Sequence, residues 1–147
     1  TAIRRQRQMC IRDRIDGLSG NHKMDVETQN AKNRWTRKEL EEMEKAPPLQ
    51  HPLVCTNPAN KKKFLFVNVP IFCGSISEMQ NSEGSQLLAR LYHHAQRPEY
   101  SCRLTWEKNT IVVWENDHCL HYPVSDYYPH ERKLLRVAIK GERRPAR

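Results

Sequence analysis

The apolar residues of this chain occur in short runs, and this feature restricts its fold more than any other. The longest run covers residues 64–67 and resumes after Asn68 at residues 69–73. It is far shorter than the roughly 18 apolar residues that indicate a membrane-spanning helix, and its length is typical of a β-strand. Because 147 residues suit one domain, the sequence predicts a single domain built on short strands, with no membrane span.

Two helices are expected between the strands. Residues 32–45 are charged and contain neither proline nor glycine, with Thr36 as an internal cap. Residues 77–96 form the second predicted helix, which Ser77 or Ser82 caps. Its apolar stripe consists of Leu87, Leu88, Leu91 and Tyr92.

The other apolar segments have the length of strands. Residues 57–62 have turn chemistry, so the two strands that flank them are expected to form a β-hairpin. Residues 15–24 are expected to be a strand end and a loop. The predicted strands are residues 51–56, 63–68, 100–106, 110–114, 118–122 and 132–140. Together these elements predict an α+β fold, mainly β, in which an antiparallel sheet carries helical insertions.

The basic charge is concentrated at the two ends of the chain. Of the formal net charge of +8, residues 1–14 carry +4 and residues 140–147 carry +3, which leaves +1 for residues 15–139. A nucleic-acid-binding protein is expected to carry a basic stripe on a structured face. The internal lysine run, residues 61–63, falls in the predicted hairpin turn, where solvation explains it. The charge pattern therefore disfavours a nucleic-acid partner.

The first fourteen residues are expected to lie outside the domain. Residues 1–14 show neither helical nor strand periodicity, and residues 9–14 (MCIRDR) resemble the translation of a sequencing-adapter tail. We expect this segment to be non-native, with a disordered basic tail as the alternative, and the domain to comprise residues 15–147.

The five cysteines form no CxxC pair, which argues against a zinc ribbon or a disulfide framework. A reducing, cytoplasmic setting is therefore expected.

Two arginines, Arg132 and Arg136, lie four residues apart in the last predicted strand. That spacing places both on one face, ~13 Å from each other at about 3.3 Å per residue. Apolar residues share the face, so the arginines are expected to point inward. A buried guanidinium is costly unless it meets an anion. That anion is either a carboxylate of this protein, such as Asp126 or Glu131, or a ligand.

The stretch that contains these arginines resembles the C-terminal signature of the taurine dioxygenase family. The matching segments are residues 111–116 (IVVWEN), 121–127 (HYPVSDY), and 132–139 followed by Gly141. Shorter segments upstream agree in order and spacing, namely residues 17–22, 47–54, 65–68, 87–94 and 97–100. The resemblance implies the C-terminal half of a double-stranded β-helix, or jelly roll, with helical insertions. Members are iron(II)- and 2-oxoglutarate-dependent oxygenases, so it also implies Fe(II), 2-oxoglutarate and O₂.

The resemblance further implies roles for individual residues. His121 matches the distal histidine of the 2-His-1-carboxylate triad that holds the iron. Arg132 matches the arginine that pairs with the distal carboxylate of 2-oxoglutarate, since a guanidinium fork suits a carboxylate. Arg136 matches a substrate-binding position. Ile71 falls where the family has an aromatic residue near the substrate, and Phe72 does so with a one-residue shift. The implied substrate is a small organic anion such as a sulfonate, sulfate ester or carboxylate, and homo-oligomerisation of the full-length protein stays open.

The sequence also departs from the family pattern. The other two iron ligands form an HxD or HxE motif, and none of the seven histidines of this chain has that spacing. We therefore expect the chain alone to be inactive. An alternative from a different class is a non-catalytic jelly-roll or cupin-like domain that binds an organic anion through Arg132 and Arg136. His118, Cys119 and His121 suggest half of a zinc site, but zinc needs three or four converging ligands and no partners stand out.

Overall fold

The computed structural model of the protein describes residues 13–23, 25–26, 30 and 35–147. Residues 1–12 of the predicted tail therefore lie outside the described residues. The predicted start of the first helix, residues 32–34, also lies outside them. We number the elements in chain order. They are β1 (Ser19–His22), α1 (Arg37–Lys45), β2 (Leu49–Pro52), β3 (Val54–Thr56), β4 (Lys63–Leu65), β5 (Cys73–Ile76) and α2 (Asn81–Ala95), followed by a 3₁₀ turn at Pro98–Tyr100.

The strands form two antiparallel sheets. In the first, β1 lies between β2 and β5; in the second, β3 pairs with β4. The hairpin predicted between residues 51 and 68 is confirmed in the β3–β4 pair, where Val54 lies opposite Leu65. Its first strand is shorter than predicted, because His51 and Pro52 belong to β2 and pair with β1 instead.

Leu53 accounts for this division, because it links the two sheets. Its backbone N donates to the Leu18 carbonyl at 2.9 Å, and its carbonyl accepts from the Phe66 N at 2.8 Å. Its side chain is fully buried. The chain therefore changes partner at a residue whose backbone and side chain are both satisfied by the interior.

The first helix begins directly after its capping residue, which does not lie inside the helix as predicted. Thr36 is its N-cap: the Glu39 backbone N donates to Thr36 Oγ1, and the Thr36 N donates to the Glu39 carboxylate at 2.8 Å. Thr36 was therefore identified correctly as a capping residue, but the helix begins after it, at Arg37. Pro47 follows closely upon the end of the helix at Lys45.

The second helix buries the expected stripe against β5. Leu88, Leu91 and Tyr92 are buried, and the Tyr92 hydroxyl donates to the Cys73 carbonyl. The predicted serine caps are wrong, because the N-cap is Gln80 and forms no side-chain capping hydrogen bond. Ser77 instead lies in the turn after β5 and donates from Oγ to Asn21 Oδ1 at 2.9 Å.

The core lies between the two sheets' inner residues and α2. Fully burying one aliphatic side chain stabilises a fold by roughly 1.5–3 kcal/mol. Close packing also explains Gly20 in β1, where a Cβ atom would lie 2.9 Å from Cys73 Sγ. The buried core comprises Ile15, Leu53, Val54, Val67, Cys73, Ile76, Leu88, Leu91 and Tyr92.

The last third of the chain differs from the prediction. The strands expected at residues 100–106, 110–114, 118–122 and 132–140 are wrong, since residues 101–147 contain turns and irregular chain but no strand. A strand needs a neighbour that supplies its ladder hydrogen bonds, and within the described residues no segment pairs with this region. Its apolar side chains are accordingly exposed, with Ile111 at 88% and Ile139 at 92%.

The end of the chain nevertheless returns to the folded part. The Thr56 N donates to the Ala146 carbonyl at 2.8 Å, and Arg147 Nη2 donates to the Gly17 carbonyl at 2.7 Å. Across the part of the chain that the structure describes, we find no helix with the length and apolar character needed to cross a membrane.

Candidate functional site

His121 follows a short turn that begins at Trp114. The backbone N atoms of His118 and Cys119 donate to the Glu115 carbonyl at 3.2 and 3.0 Å, which closes the turn. The His121 imidazole lies 5.4 Å from the Trp114 ring, centroid to centroid, and is exposed. An exposed imidazole is free to accept a ligand or a metal, but nothing in this turn buries it.

Arg132 lies on the face of an aromatic ring. Its guanidinium carbon is 4.5 Å from the centroid of the Tyr127 ring, and Nη1 donates to the Val124 carbonyl at 3.3 Å. Within residues 101–147, all of which are described, Arg132 forms no ion pair with Asp126 or Glu131, and Glu131 instead pairs with Lys133 at 3.1 Å. The interpretation of Arg132 as a structural ion-pair partner of these acids is therefore not supported.

Arg136 and Ile71 lie in different surroundings. Arg136 is exposed on a segment without regular secondary structure, so the expectation that it shares an inward strand face with Arg132 is wrong: residues 132–140 form no strand. Ile71 is half-buried in the turn before β5, where its carbonyl accepts from the Asp25 N at 2.9 Å. Among the described residues, no hydrogen bond or ring contact joins His121 to Arg132.

One group of three metal-ligating side chains converges in the described residues, and it does not include His121. It consists of Glu115, Asp117 and His118, whose ligand atoms lie within 4.8 Å of one another. His118 Nδ1 lies 3.0 Å from the Glu115 carboxylate and 2.9 Å from the Asp117 carboxylate. The Glu115 side chain is 69% exposed, whereas those of Asp117 and His118 are 40% and 21% exposed.

The hydrogen bonds around His118 argue against a metal at this group. Asn57 Oδ1 accepts from the Ala59 N at 2.8 Å and the Asn60 N at 3.4 Å, which directs Asn57 Nδ2 towards His118 Nε2 at 3.0 Å. An amide NH₂ can only donate, so Nε2 accepts, and the proton of the neutral ring is on Nδ1. A metal at Nδ1 would leave the ring proton on Nε2, where it would face the Asn57 NH₂ group. The hydrogen bonds therefore favour a hydrogen-bonded turn over a metal site.

The same observations test whether the chain fits an iron centre. Iron of the implied type needs two histidines and one carboxylate. The described residues bring no second and third ligand to His121. They do not by themselves form such a centre.

The contact between Asn57 and His118 is the feature that sequence reasoning missed. His118 also stacks on Phe64 of β4, with ring centroids 3.9 Å apart. The sequence marks Asn57 as a turn residue and His118 as a weak zinc or thiol-partner candidate. Because 61 residues separate the two, no local pattern in one sequence could have paired them.

A second histidine cluster lies on the first sheet. Gly20 pairs with His51 and His22 with Cys73, which places these four residues on one face. The His22 Nε2 atom is buried without a hydrogen-bond partner. Burial, together with the nearby His51, lowers the pKa of His22 from 6.5 to about 4. Burial and the Arg144 guanidinium likewise lower the pKa of His51. Both imidazoles are half-buried, and their lowered pKa values favour the neutral ring at neutral pH.

The buried cysteines are not nucleophile candidates. Burial raises the pKa of Cys55 to about 11 and also raises that of Cys73. A thiol must ionise to attack or to bind metal. All four described cysteines are free, with Cys102 and Cys119 exposed.

Comparison with known proteins places these residues in a family. Residues 10–138 match the sequence model described as "Taurine catabolism dioxygenase TauD, TfdA family". The matched region includes His121, Arg132, Arg136 and Ile71.

Three curated relatives show the range of this similarity. The chain is 35% identical over 95 residues to the alpha-ketoglutarate-dependent sulfonate dioxygenase of Saccharomyces cerevisiae, covering 63% of this chain and 23% of the relative. It is 32% identical over 97 residues to the alpha-ketoglutarate-dependent 2,4-dichlorophenoxyacetate dioxygenase of Burkholderia sp., covering 66% and 32%. It is 30% identical over 93 residues to the alkylsulfatase of Acinetobacter baylyi, covering 63% and 29%. The chain thus spans about a quarter to a third of the length of these relatives.

Solved structures share the fold over a similar part of the chain. AAD-2, crystallised in complex with Mn(II) and N-oxalylglycine, is 26% identical with a TM-score of 0.52, covering 65% of this chain and 36% of that one. A chain from Burkholderia xenovorans is 22% identical with a TM-score of 0.54, covering 66% and 36%. The second similarity concerns the fold alone.

Proposed function

Because the chain belongs to the TauD/TfdA dioxygenase family, we propose that it forms the C-terminal part of a dioxygenase that hydroxylates a small organic anion. Dioxygenases of this family use Fe(II), 2-oxoglutarate and O₂. In the overall reaction one oxygen atom of O₂ enters the substrate as a hydroxyl, and the other enters succinate as 2-oxoglutarate loses CO₂. The observation that carries the proposal is the family match over residues 10–138, which spans every assigned site residue.

Arg132 would bind the distal carboxylate of 2-oxoglutarate. The support is its environment: an aromatic ring and one backbone carbonyl hold the guanidinium, and no carboxylate among the described residues pairs with it. A ring face orients a guanidinium without consuming its charge, so the fork can still donate two parallel hydrogen bonds to a carboxylate.

His121 would supply one metal ligand, and its exposed ring is compatible with that role. Arg136 and Ile71 would contact the substrate. Since no histidine of the sequence lies in an HxD or HxE motif, the remaining two ligands would come from another part of the full-length domain. We therefore derive no catalytic step from this chain alone, and we expect it not to turn over 2-oxoglutarate.

The exposed apolar residues of the last third support the fragment interpretation. Residues 111–113 and 135–139 have strand-like composition and no pairing partner among the described residues. In a jelly roll these segments would be strands covered by neighbouring strands. The chain's share of its relatives' length leaves room for those strands. The expected cytoplasmic setting belongs to the same proposal.

The substrate would be a sulfonate, a sulfate ester or a carboxylate. The support is the range of relatives, which includes a sulfonate dioxygenase, an alkylsulfatase and a 2,4-dichlorophenoxyacetate dioxygenase. A second candidate is a non-catalytic domain that binds an organic anion. It is favoured because, among the described residues, no group of three metal-ligating side chains includes His121.

A chimera tests the proposal. Residues 15–147 replace the matched segment of the S. cerevisiae sulfonate dioxygenase, and succinate formation is measured with Fe(II) and a sulfonate. We expect turnover, with the KM for 2-oxoglutarate raised about 10- to 100-fold by Arg132→Met, which is the loss expected for a hydrogen bond to a charged group. His121→Ala should abolish turnover, and His130→Ala is the matched control.

Two outcomes would contradict the proposal. One is a folded, active chimera in which Arg132→Met leaves the KM for 2-oxoglutarate unchanged. The other is a folded chimera that binds the organic anion but forms no succinate, which favours the binding domain.

A further inference from the structure

The turn that precedes His121 is anchored to the β3–β4 hairpin by one side chain. His118 inserts between the hairpin loop and β4, where its Nε2 accepts from Asn57 Nδ2 at 3.0 Å and its ring stacks on Phe64. Asn57 itself is 9% exposed, so this contact is shielded from water. It is also one of the few contacts with the folded part in the last third of the chain, which is otherwise largely irregular and exposed.

The polarity of this anchor follows from the loop. Two backbone N–H groups of the loop donate to Asn57 Oδ1, so the amide cannot rotate by half a turn without losing both hydrogen bonds. Its NH₂ group therefore faces His118 and requires an acceptor there. On the other side of the ring, Nδ1 donates to the Asp117 carboxylate at 2.9 Å, and the Glu115 carboxylate lies 3.0 Å away. His118 thus connects the hairpin loop to the turn, with Nε2 as the acceptor and Nδ1 as the donor.

Only Cys119 and Leu120 lie between His118 and His121. In the turn, the backbone N atoms of His118 and Cys119 both donate to the Glu115 carbonyl. Fixing His118 therefore fixes the start of the short segment that ends at His121. It also fixes the Trp114 side of the turn, whose indole ring lies against the His121 imidazole.

We propose that His118, oriented by Asn57, is a positioning residue that holds the His121 segment against the hairpin. The inference rests on the proposed role of His121 as a metal ligand. The contact of His118 with the hairpin can be tested without that role. The tautomer of His118 and its ring contact can both be measured in the metal-free chain.

The test uses nitrogen and proton NMR of the full chain at a pH where histidines are neutral. In the wild-type chain, His118 Nε2 should show the resonance of an unprotonated ring nitrogen. In Asn57→Asp, the loop can keep its acceptor, but an acceptor oxygen replaces the NH₂ donor. The Nε2 resonance should then move to the protonated range, because a carboxylate oxygen requires a donor.

Two further readouts report on His121. The Trp114 ring current shifts the His121 ring protons, and this shift should be retained in Asn57→Asp, because the new carboxylate accepts from the protonated Nε2 and keeps the link. In His118→Leu, which loses the link, amide exchange at Cys119 should rise by about fivefold, the effect expected from losing one net hydrogen bond. His93→Ala, which removes an exposed histidine on α2, is the matched control and should change neither readout.

A pair of variants at His118 provides the second test and decides the matter if Asn57→Asp does not fold. His118→Gln retains an oxygen that can accept from Asn57 and should preserve the His121 shift. His118→Leu has similar bulk and no acceptor, and should lose it. A protonated Nε2 in the wild-type chain, or equal His121 shifts in the Gln and Leu variants, would overturn the inference. Confirmation of the anchor together with full activity of His121→Ala in the chimera would instead count against the proposed function.

Discussion

Acidification should destabilise the first sheet through His22. Its Nε2 is buried without a partner, and its pKa falls from 6.5 to about 4 on folding. A base with a lowered folded pKa takes up its proton more readily in the unfolded state. Its contribution to stability is therefore complete above pH 6.5, is lost as the pH falls towards 4, and does not change further below that.

The magnitude follows from the shift. A difference of this size corresponds to at most about 3.4 kcal/mol at about 1.36 kcal/mol per pKa unit. Because part of the ring contacts solvent, which screens the charge, we expect about 1–2 kcal/mol. His51, whose pKa is also lowered, contributes in the same direction.

Urea unfolding followed by circular dichroism measures this effect. The free energy of unfolding is compared at pH 7.5 and pH 4.5 in the wild-type chain, in His22→Phe and in the exposed control His130→Phe. The wild-type chain and the control should lose about 1–2 kcal/mol more on acidification than His22→Phe does. Keeping the lower limit near pH 4.5 limits the contribution of Glu78, whose carboxyl has a lowered pKa. Equal pH dependence in all three proteins would refute the reasoning.

Three other predictions concern the core, the exposed surface and the chain alone. Leu53→Ala should lower the unfolding free energy by about 2–5 kcal/mol, because Leu53 is fully buried and joins the two sheets. The control Leu135→Ala should change it by less than about 0.5 kcal/mol. Urea denaturation measures both, and similar losses would contradict the assigned core. Replacing exposed apolar residues of the last third by serine should reduce self-association and the binding of a hydrophobic dye without lowering the unfolding free energy. The residues to change are Ile111, Val113, Leu135, Val137 and Ile139. An unchanged dye signal would contradict this prediction. The chain alone, supplied with Fe(II) and 2-oxoglutarate, should form no succinate, and measurable turnover would show that it contains a complete site.

The first two-thirds of the fold could be predicted because local signals and packing agree there. The turn chemistry before Lys63 specifies the hairpin, and the stripe from Leu87 to Tyr92 specifies the buried face of the second helix. β5 was not foreseen, because Cys73–Ile76 contains a glycine and a serine and lacks a strand pattern of its own. Its partner β1, which lies 51 or more residues earlier in the chain, is what makes it a strand.

The last third could not be predicted, for the opposite reason. Residues 110–114 and 132–140 have good strand composition, but composition cannot supply the neighbouring backbone groups that a strand requires. The same limit applies to the site. The roles of His121 and Arg132 come from a family resemblance, and the resting place of Arg132 on Tyr127 is a property of the three-dimensional arrangement.

The most direct test of the central claim is a crystal structure of the chimera with Mn(II) and N-oxalylglycine, the combination found in the AAD-2 complex. We predict an imidazole nitrogen of His121 on the metal and the Arg132 guanidinium in a two-fold hydrogen bond with the distal carboxylate of the analogue. A bound analogue with Arg132 still lying on the Tyr127 ring, and His121 directed into solvent, would contradict the account.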